Sequence, residues 1–193
     1  MKTLELNATP RCEFGKKATA AIRKSGNVPC ILYGGNKENK NFQIKDEDLH
    51  ALLYTPEVFL VKLNIEGESH LAIVKDSQFH PVKDQVLHVD FLEVFEDKAV
   101  EVALPVHLKG LAAGVKAGGK LSLDIRKLRV KGLYKNLPES LDIDVTELGL
   151  GKTIQVGDLH FENLELMNAK NLVVCGVKST RNAQAAATEE AAE

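Results

Sequence analysis

The sequence predicts an α+β N-terminal domain whose antiparallel sheet can close as a barrel, followed by an all-β C-terminal domain. Three observations carry this. Up to Val94, alternating strands are interrupted by two short helices, without the regular βαβ order of a parallel sheet. Phe95-Glu96-Asp97-Lys98 then forms a polar junction. Beyond it the chain reads only as short strands separated by glycine turns. The predicted domains are residues 1–93, residues 94–178 and a tail at 179–193.

In chain order, Thr3–Ala8 sets Leu4 and Leu6 between polar neighbours, the pattern of a half-buried strand. Lys17–Lys24 is alanine-rich and ends at Ser25-Gly26, a glycine C-cap signal. Val28–Tyr33 is a short apolar run stopped by Gly34-Gly35-Asn36. Asp46–Tyr54 opens with three acids, which suit the positive end of a helix dipole, and offers Leu49, Leu52 and Leu53 for burial before Pro56. Val58–Ile65 alternates Phe59, Val61, Leu63 and Ile65. It turns at Glu66-Gly67-Glu68 into His70–Lys75, a hairpin. Val86–Val94 closes the domain, with His88 and Asp90 on one face and Val89 and Phe91 on the other.

The second domain predicts strands at Val100–Leu108, Leu121–Val130, Leu141–Val145, Thr153–Val156 and Leu172–Val177. From Ser179 the composition is alanine, glutamate and glutamine with no core-forming residue, so the tail is expected to be disordered.

At 193 residues the length allows one large domain or two small ones, taking ~150 residues per domain. Hydrophobic residues at 44% and charged residues at 27% exclude global disorder. No apolar run approaches the ~20 residues that span a bilayer. The first residues hold no apolar stretch of a signal peptide and read as mature sequence. Cys12, Cys30 and Cys175 form no CxxC pair, which argues against a disulfide framework or a four-ligand zinc site and for a reducing cytoplasm. All three are expected to be small buried or half-buried thiols.

The net charge of -2 hides a local pattern. Residues 1–40 carry eight basic groups (Lys2, Arg11, Lys16, Lys17, Arg23, Lys24, Lys37, Lys40) against Glu5, Glu13 and Glu38, a balance of +5. Residues 116–135 carry Lys116, Lys120, Arg126, Lys127, Arg129, Lys131 and Lys135 against Asp124, a balance of +6. Such segments can present positive patches to a polyanion, and the second also fits a solvated strand face.

Catalytic signatures are lacking. Leu148–Thr153 looks like the end of a phosphate-binding loop, but Thr146 stands where the first glycine is required and Thr153–Val156 reads as strand rather than helix, so a turn between strands is expected. His80, His88 and Asp90 are metal-ligand types, yet His88 and Asp90 share a strand face equally suited to a polar partner, and no metal is expected. Gly15–Gly35 says more. On a helix, Lys16 and Arg23 lie nearly on one face with Thr19 and Ala20 between them, and Lys17 and Lys24 repeat the spacing. Two basic rows with small residues suit a nucleic-acid backbone; they also suit an ordinary solvent-facing helix.

Arg11 with Gly15-Lys16, Arg23 and Gly26, Pro29, Tyr33-Gly34-Gly35, Gln78, His80-Pro81 and His88-Val89-Asp90-Phe91 follow in a specific order. That order resembles the family of large-subunit ribosomal protein L-twenty-five. The length resembles its long form, also called general stress protein CTC. The resemblance continues through Gly114–Gly119 and Leu137–Val145 and spans residues 3–178. It implies a six-stranded β-barrel-like N-terminal domain with helices and a β-rich C-terminal domain. It further implies a non-catalytic, cytoplasmic constituent of the large ribosomal subunit that binds 5S ribosomal RNA in the central protuberance beside neighbouring ribosomal proteins. No cofactor, metal, membrane or small-molecule substrate is implied. Arg11, Lys16, Thr19 and Arg23 match the family's RNA-contacting positions on the helix and its lead-in; Tyr33, Gln78, His88 and Asp90 match those on the barrel. Ala20 and Ala21 stand where some members carry arginines, and Tyr134 replaces a proline-containing turn. The alternative is a ribosome-associated stress factor with the same RNA-binding fold.

Overall fold

In this computed structural model, residues 1–35 and 38–180 are described, and they fall into two units. Asn36 of the predicted turn, Lys37 of the basic segment and the tail from Arg181 lie outside the described residues. The first unit comprises Met1–Val102 with Leu133–Glu139. Its elements are β1 (Lys2–Pro10), α1 (Lys16–Lys24), β2 (Asn27–Tyr33), β3 (Lys40–Lys45), α2 (Asp46–Leu53), β4 (Phe59–Ile65), β5 (Glu68–Phe79) and β6 (Val86–Glu93). The strands close a barrel in the order β1-β3-β2-β6-β5-β4, and closure leaves no unpaired edge.

Period-two alternation drives this arrangement. Leu6 and Ala8, Cys30 and Leu32, Phe42 and Ile44, Val61 and Leu63, and Val89 and Phe91 all enter one core. There the Phe42 and Phe91 rings lie 5.8 Å apart between centroids. Leu49 and Leu52 of α2 join the same core. The β4–β5 loop is two residues long, with φ of 51° at Glu66 and 89° at Gly67, the positive pair that matches the twist of a tight hairpin.

The barrel departs from the sequence expectation in three ways. The sheet is not wholly antiparallel, because β1 pairs with β4 and β2 with β6 in parallel. Each parallel pair is joined through a long intervening crossover, as that geometry requires. Strand β3 was not predicted: its two core residues, Phe42 and Ile44, sit among Lys, Asn and Gln. Strand β5 runs on to Phe79 through register shifts at Val74/Asp76 and Gln78/Phe79, which make Asp76 face Asp90 and Gln78 face His88.

The second unit comprises Ala103–Gly132 and the described residues from Ser140. It holds most of β7 (Val100–Lys109), α3 (Ala113–Lys116), β8 (Lys120–Leu123), β9 (Lys127–Gly132), β10 (Leu141–Asp144), β11 (Thr153–Gln155), β12 (Glu165–Leu166) and β13 (Val173–Lys178). One sheet has the order β10-β7-β9-β12 and the other β11-β13-β8. The predicted single strand Leu121–Val130 is two strands in two sheets. The Asp124 and Ile125 N–H groups both donate to the Val174 carbonyl (3.0 and 3.2 Å), and the Arg126 carbonyl then accepts from Val106 (2.9 Å). Apolar alternation breaks phase at this handover: Leu121, Leu123 and Ile125 give way, after Arg126 and Lys127, to Leu128 and Val130, a signal that reading the segment as one strand passes over. Short helical turns at Ala113–Lys116 and Val156–Asp158 also correct the reading of strands and turns alone. Thr153–Gln155 is a strand, and the Gly151 N–H donates to the Val177 carbonyl (2.9 Å), so the residues just before it form the expected turn between strands.

Candidate nucleic-acid interface

The register of β2, β6 and β5 assembles one polar face. Gln78 pairs across from His88, Asp76 across from Asp90, Ile31 across from Asp90 and Tyr33 across from Leu92. Val89 and Phe91 point into the core, so His88 and Asp90 between and beside them face outward. His88 Nδ1 lies 2.6 Å from Asp90 Oδ1. A carboxylate only accepts, so Nδ1–H donates and Nε2 remains for an outside partner. The Tyr33 hydroxyl is raised above its usual pKa, first by burial and then by the charges of Asp90 and Asp76, which keeps it a neutral donor.

Helix α1 adds cations to this face. Gly15, with φ of 103°, turns the chain out of the preceding loop into the helix, a conformation that L side chains avoid. The Thr19 hydroxyl donates back to the Gly15 and Lys16 carbonyls (3.0 and 3.2 Å), and its backbone N–H also donates to the Gly15 carbonyl (3.0 Å), which fixes the first turn of the helix. No residue of α1 is fully buried; Ala18, Thr19 and Ile22 are half-buried, while Lys16, Lys17, Arg23 and Lys24 are exposed. What holds the helix's end is Arg23, whose Nε and Nη2 both donate to the Leu87 carbonyl (3.1 and 2.8 Å). That carbonyl immediately precedes His88, so the basic helix is tied to the outward His–Asp pair.

Arg11 sits in the lead-in, its backbone N–H donating to the Asn41 carbonyl (3.1 Å). Its guanidinium carbon lies 5.4 Å from the Phe14 ring centroid, and its Nε and Nη1 are shielded without a hydrogen-bond partner. Tyr33, Gln78, His88 and Asp90 are thus brought together by register, and Arg23 through Leu87. Lys16 and Thr19 follow on the helix and Arg11 on its lead-in. Sequence reading missed Asp76, whose outward place depends on the β5 register shift, and the Leu87 carbonyl, which leaves no side-chain signal. His80 is employed elsewhere: its Nδ1 accepts the N–H groups of Val82 and Lys83 (3.2 Å each) and caps the 80–85 turn.

The sequence profile described as the ribosomal L25p family matches residues 6–91, and that of the ribosomal protein TL5 C-terminal domain matches residues 99–181. The large ribosomal subunit protein bL25 of Porphyromonas gingivalis is 58% identical over 191 residues, covering 98% of this chain and all of the relative. Its counterpart in Phocaeicola vulgatus is 52% identical, covering 97% of this chain and 98% of the relative. That of Bacteroides fragilis is 51% identical, covering 97% of each. The chain belongs to the ribosomal L25p family. As a member of a ribosomal protein family it is a structural constituent and not an enzyme.

In this L25p-family chain the basic stretch 116–135 is divided between the two units. Lys127, Arg129 and Lys131 alternate with buried Leu128 and Val130 and line one exposed face of β9. Lys131 lies 3.9 Å from Glu165. Lys135 belongs to the first unit, 3.0 Å from Glu96, which holds the Lys135 ammonium above its usual pKa.

Proposed function

We propose that this protein is a constituent of the large ribosomal subunit that binds 5S ribosomal RNA in the central protuberance. The binding surface is α1 together with the outer face of β2, β6 and β5. Relatives over half identical along the whole chain are named as large-subunit proteins, which supports the subunit assignment. The observation that carries the RNA reading is the paired hydrogen bond from Arg23 to the Leu87 carbonyl. It sets a helix bearing Lys16, Lys17 and Lys24 beside His88, Asp90, Gln78 and Tyr33. Cations supply sequence-independent affinity through phosphates, while directional donors and acceptors read base edges. Regular A-form RNA hides those edges in a deep groove, so such a face fits an irregular helix with opened bases. Asp90 and Asp76 suit this role, because carboxylates accept from base amino groups.

The test is 5S RNA binding by the full chain across a salt series. Replacing Lys16 with alanine should lower the log–log salt slope by about one unit, as expected for one lost phosphate contact. Replacing His88 with alanine should weaken binding by about 1–3 kcal/mol, as loss of a base-edge contact does, and leave the slope unchanged. An unchanged affinity in the Lys16→Ala/His88→Ala double variant would remove this face from the interface.

A further inference from the structure

We propose that Phe14 is a stacking platform for one unstacked RNA base at the edge of this face, with the Arg11 guanidinium supporting the ring. The proposal rests on the RNA-binding reading above and names the part of the RNA that the lead-in loop engages.

Phe14 is 62% exposed in the loop between β1 and α1. Its ring joins none of the barrel core, although a phenyl group gains most from burial. The Arg11 guanidinium lies over one side of the ring at 5.4 Å, and its Nε and Nη1 are buried without a hydrogen-bond partner. A cation on one side of the ring leaves the rest of the aromatic surface open, as in an arginine–aromatic–base stack. The charge around it selects the occupant. From Arg11 to Lys24 the chain carries Arg11, Lys16, Lys17, Arg23 and Lys24 against Glu13 alone. No other large apolar side chain in that stretch is exposed. A partner here is polyanionic and presents a flat ring, which describes a nucleotide whose base has left the stack.

The chain contains no tryptophan, so Phe14→Trp places a single indole at this position in the full-length protein. The expected result is quenching of that indole on titration with 5S RNA near physiological salt, with affinity at least equal to that of the wild type. Phe14→Tyr should bind like the wild type. Phe14→Leu, which keeps apolar bulk without the π face, should bind about ten-fold more weakly, within the range of one lost base stack. Circular dichroism should be unchanged in all three variants, since the position is exposed. Wild-type affinity in Phe14→Leu, with 5S RNA still bound, overturns the stacking role alone. Failure of the wild type to bind 5S RNA overturns this proposal and the reading beneath it together. An indole that RNA leaves unchanged, but that is shielded in assembled large subunits, assigns the ring to a protein neighbour and also overturns it.

Discussion

Cys30 and Cys12 show how far surroundings decide the chemistry of one residue type. Cys30 is fully buried in the barrel core, and burial pushes its thiol up to about 12. Cys175 is also buried and likewise raised, chiefly by burial. Cys12 is exposed, which corrects the expectation of three buried or half-buried thiols. It occupies a loop that no core reaches. A water-soluble thiol reagent near pH 8 should therefore modify one cysteine in the native protein and three after denaturation; rapid labelling of two or more natively would contradict the burial. Cys30 also gives a pH prediction. Below about pH 9 the thiol is neutral in both folded and unfolded chains. Between there and about 12 only the unfolded chain ionises, so this group's contribution to stability falls by about 1.4 kcal/mol per pH unit. A Cys30→Ala variant lacks that loss, so its stability gap to the wild type should narrow by about that amount from pH 9.5 to 10.5 in denaturant titrations.

At the scale of elements, α1 and the β4–β5 hairpin are held in opposite ways. Helix α1 has no fully buried side chain and is too short to be stable alone, so its attachment relies on half-buried Ala18, Thr19 and Ile22 and on Arg23. Replacing Arg23 with alanine removes two hydrogen bonds to Leu87, at a cost of about 1 kcal/mol. Faster amide exchange confined to residues 17–24 is the expected signature, and an unaltered exchange pattern would show that the three half-buried residues suffice. The hairpin is held by its own turn. Glu66 occupies a left-handed conformation for which asparagine is better suited, so Glu66→Asn should stabilise the protein by about 0.5–1 kcal/mol, part of the cost of that conformation for other L residues. A thermal melt that shifts downward would mean that the Glu66 side chain contributes more than its backbone costs.

For the whole molecule, the first unit is the body proposed to bind RNA. Residues 1–93 hold 12 basic and 13 acidic groups, a balance of -1, so attraction comes from the local cations of α1 and its lead-in. The barrel is complete at Glu93, yet the unit continues to Val102, with Val94, Val100 and Val102 buried and the Val94 N–H donating to the Leu71 carbonyl (2.8 Å). A fragment ending at Val102 should fold and retain most of the full chain's affinity for 5S RNA at physiological salt. One ending at Glu93 lacks all three buried valines and should be less stable by several kcal/mol, at about 1.5–3 kcal/mol per valine. Residues 103–193 should bind poorly, because a separate basic strand is largely screened at that ionic strength. Loss of most affinity in a folded 1–102 fragment would extend the RNA site beyond Val102.

The amino-acid sequence by itself determined the elements whose cause is local. Apolar alternation marked β1 and β4, a short apolar run stopped by glycines marked β2, and apolar segments between turn residues marked β6 and most strands of the second unit. Leading acids marked α2, glycine marked the turns, and the basic helix with its flanking motifs marked the candidate interface. The tertiary structure decided whatever depends on partners distant in the chain. Strand β3 carries only two alternating apolar residues, Phe42 and Ile44, and its pairing with β1 on one side and β2 on the other makes so short a pattern a strand. The 120–132 segment divides because two sheets claim its two halves. Asp76 faces outward because β5 shifts register against β6, and Arg23 is bound because a carbonyl 64 residues away accepts it. Side-chain periodicity records which face of a strand is dry. It carries no record of which strand lies alongside, and the interface is built from that pairing.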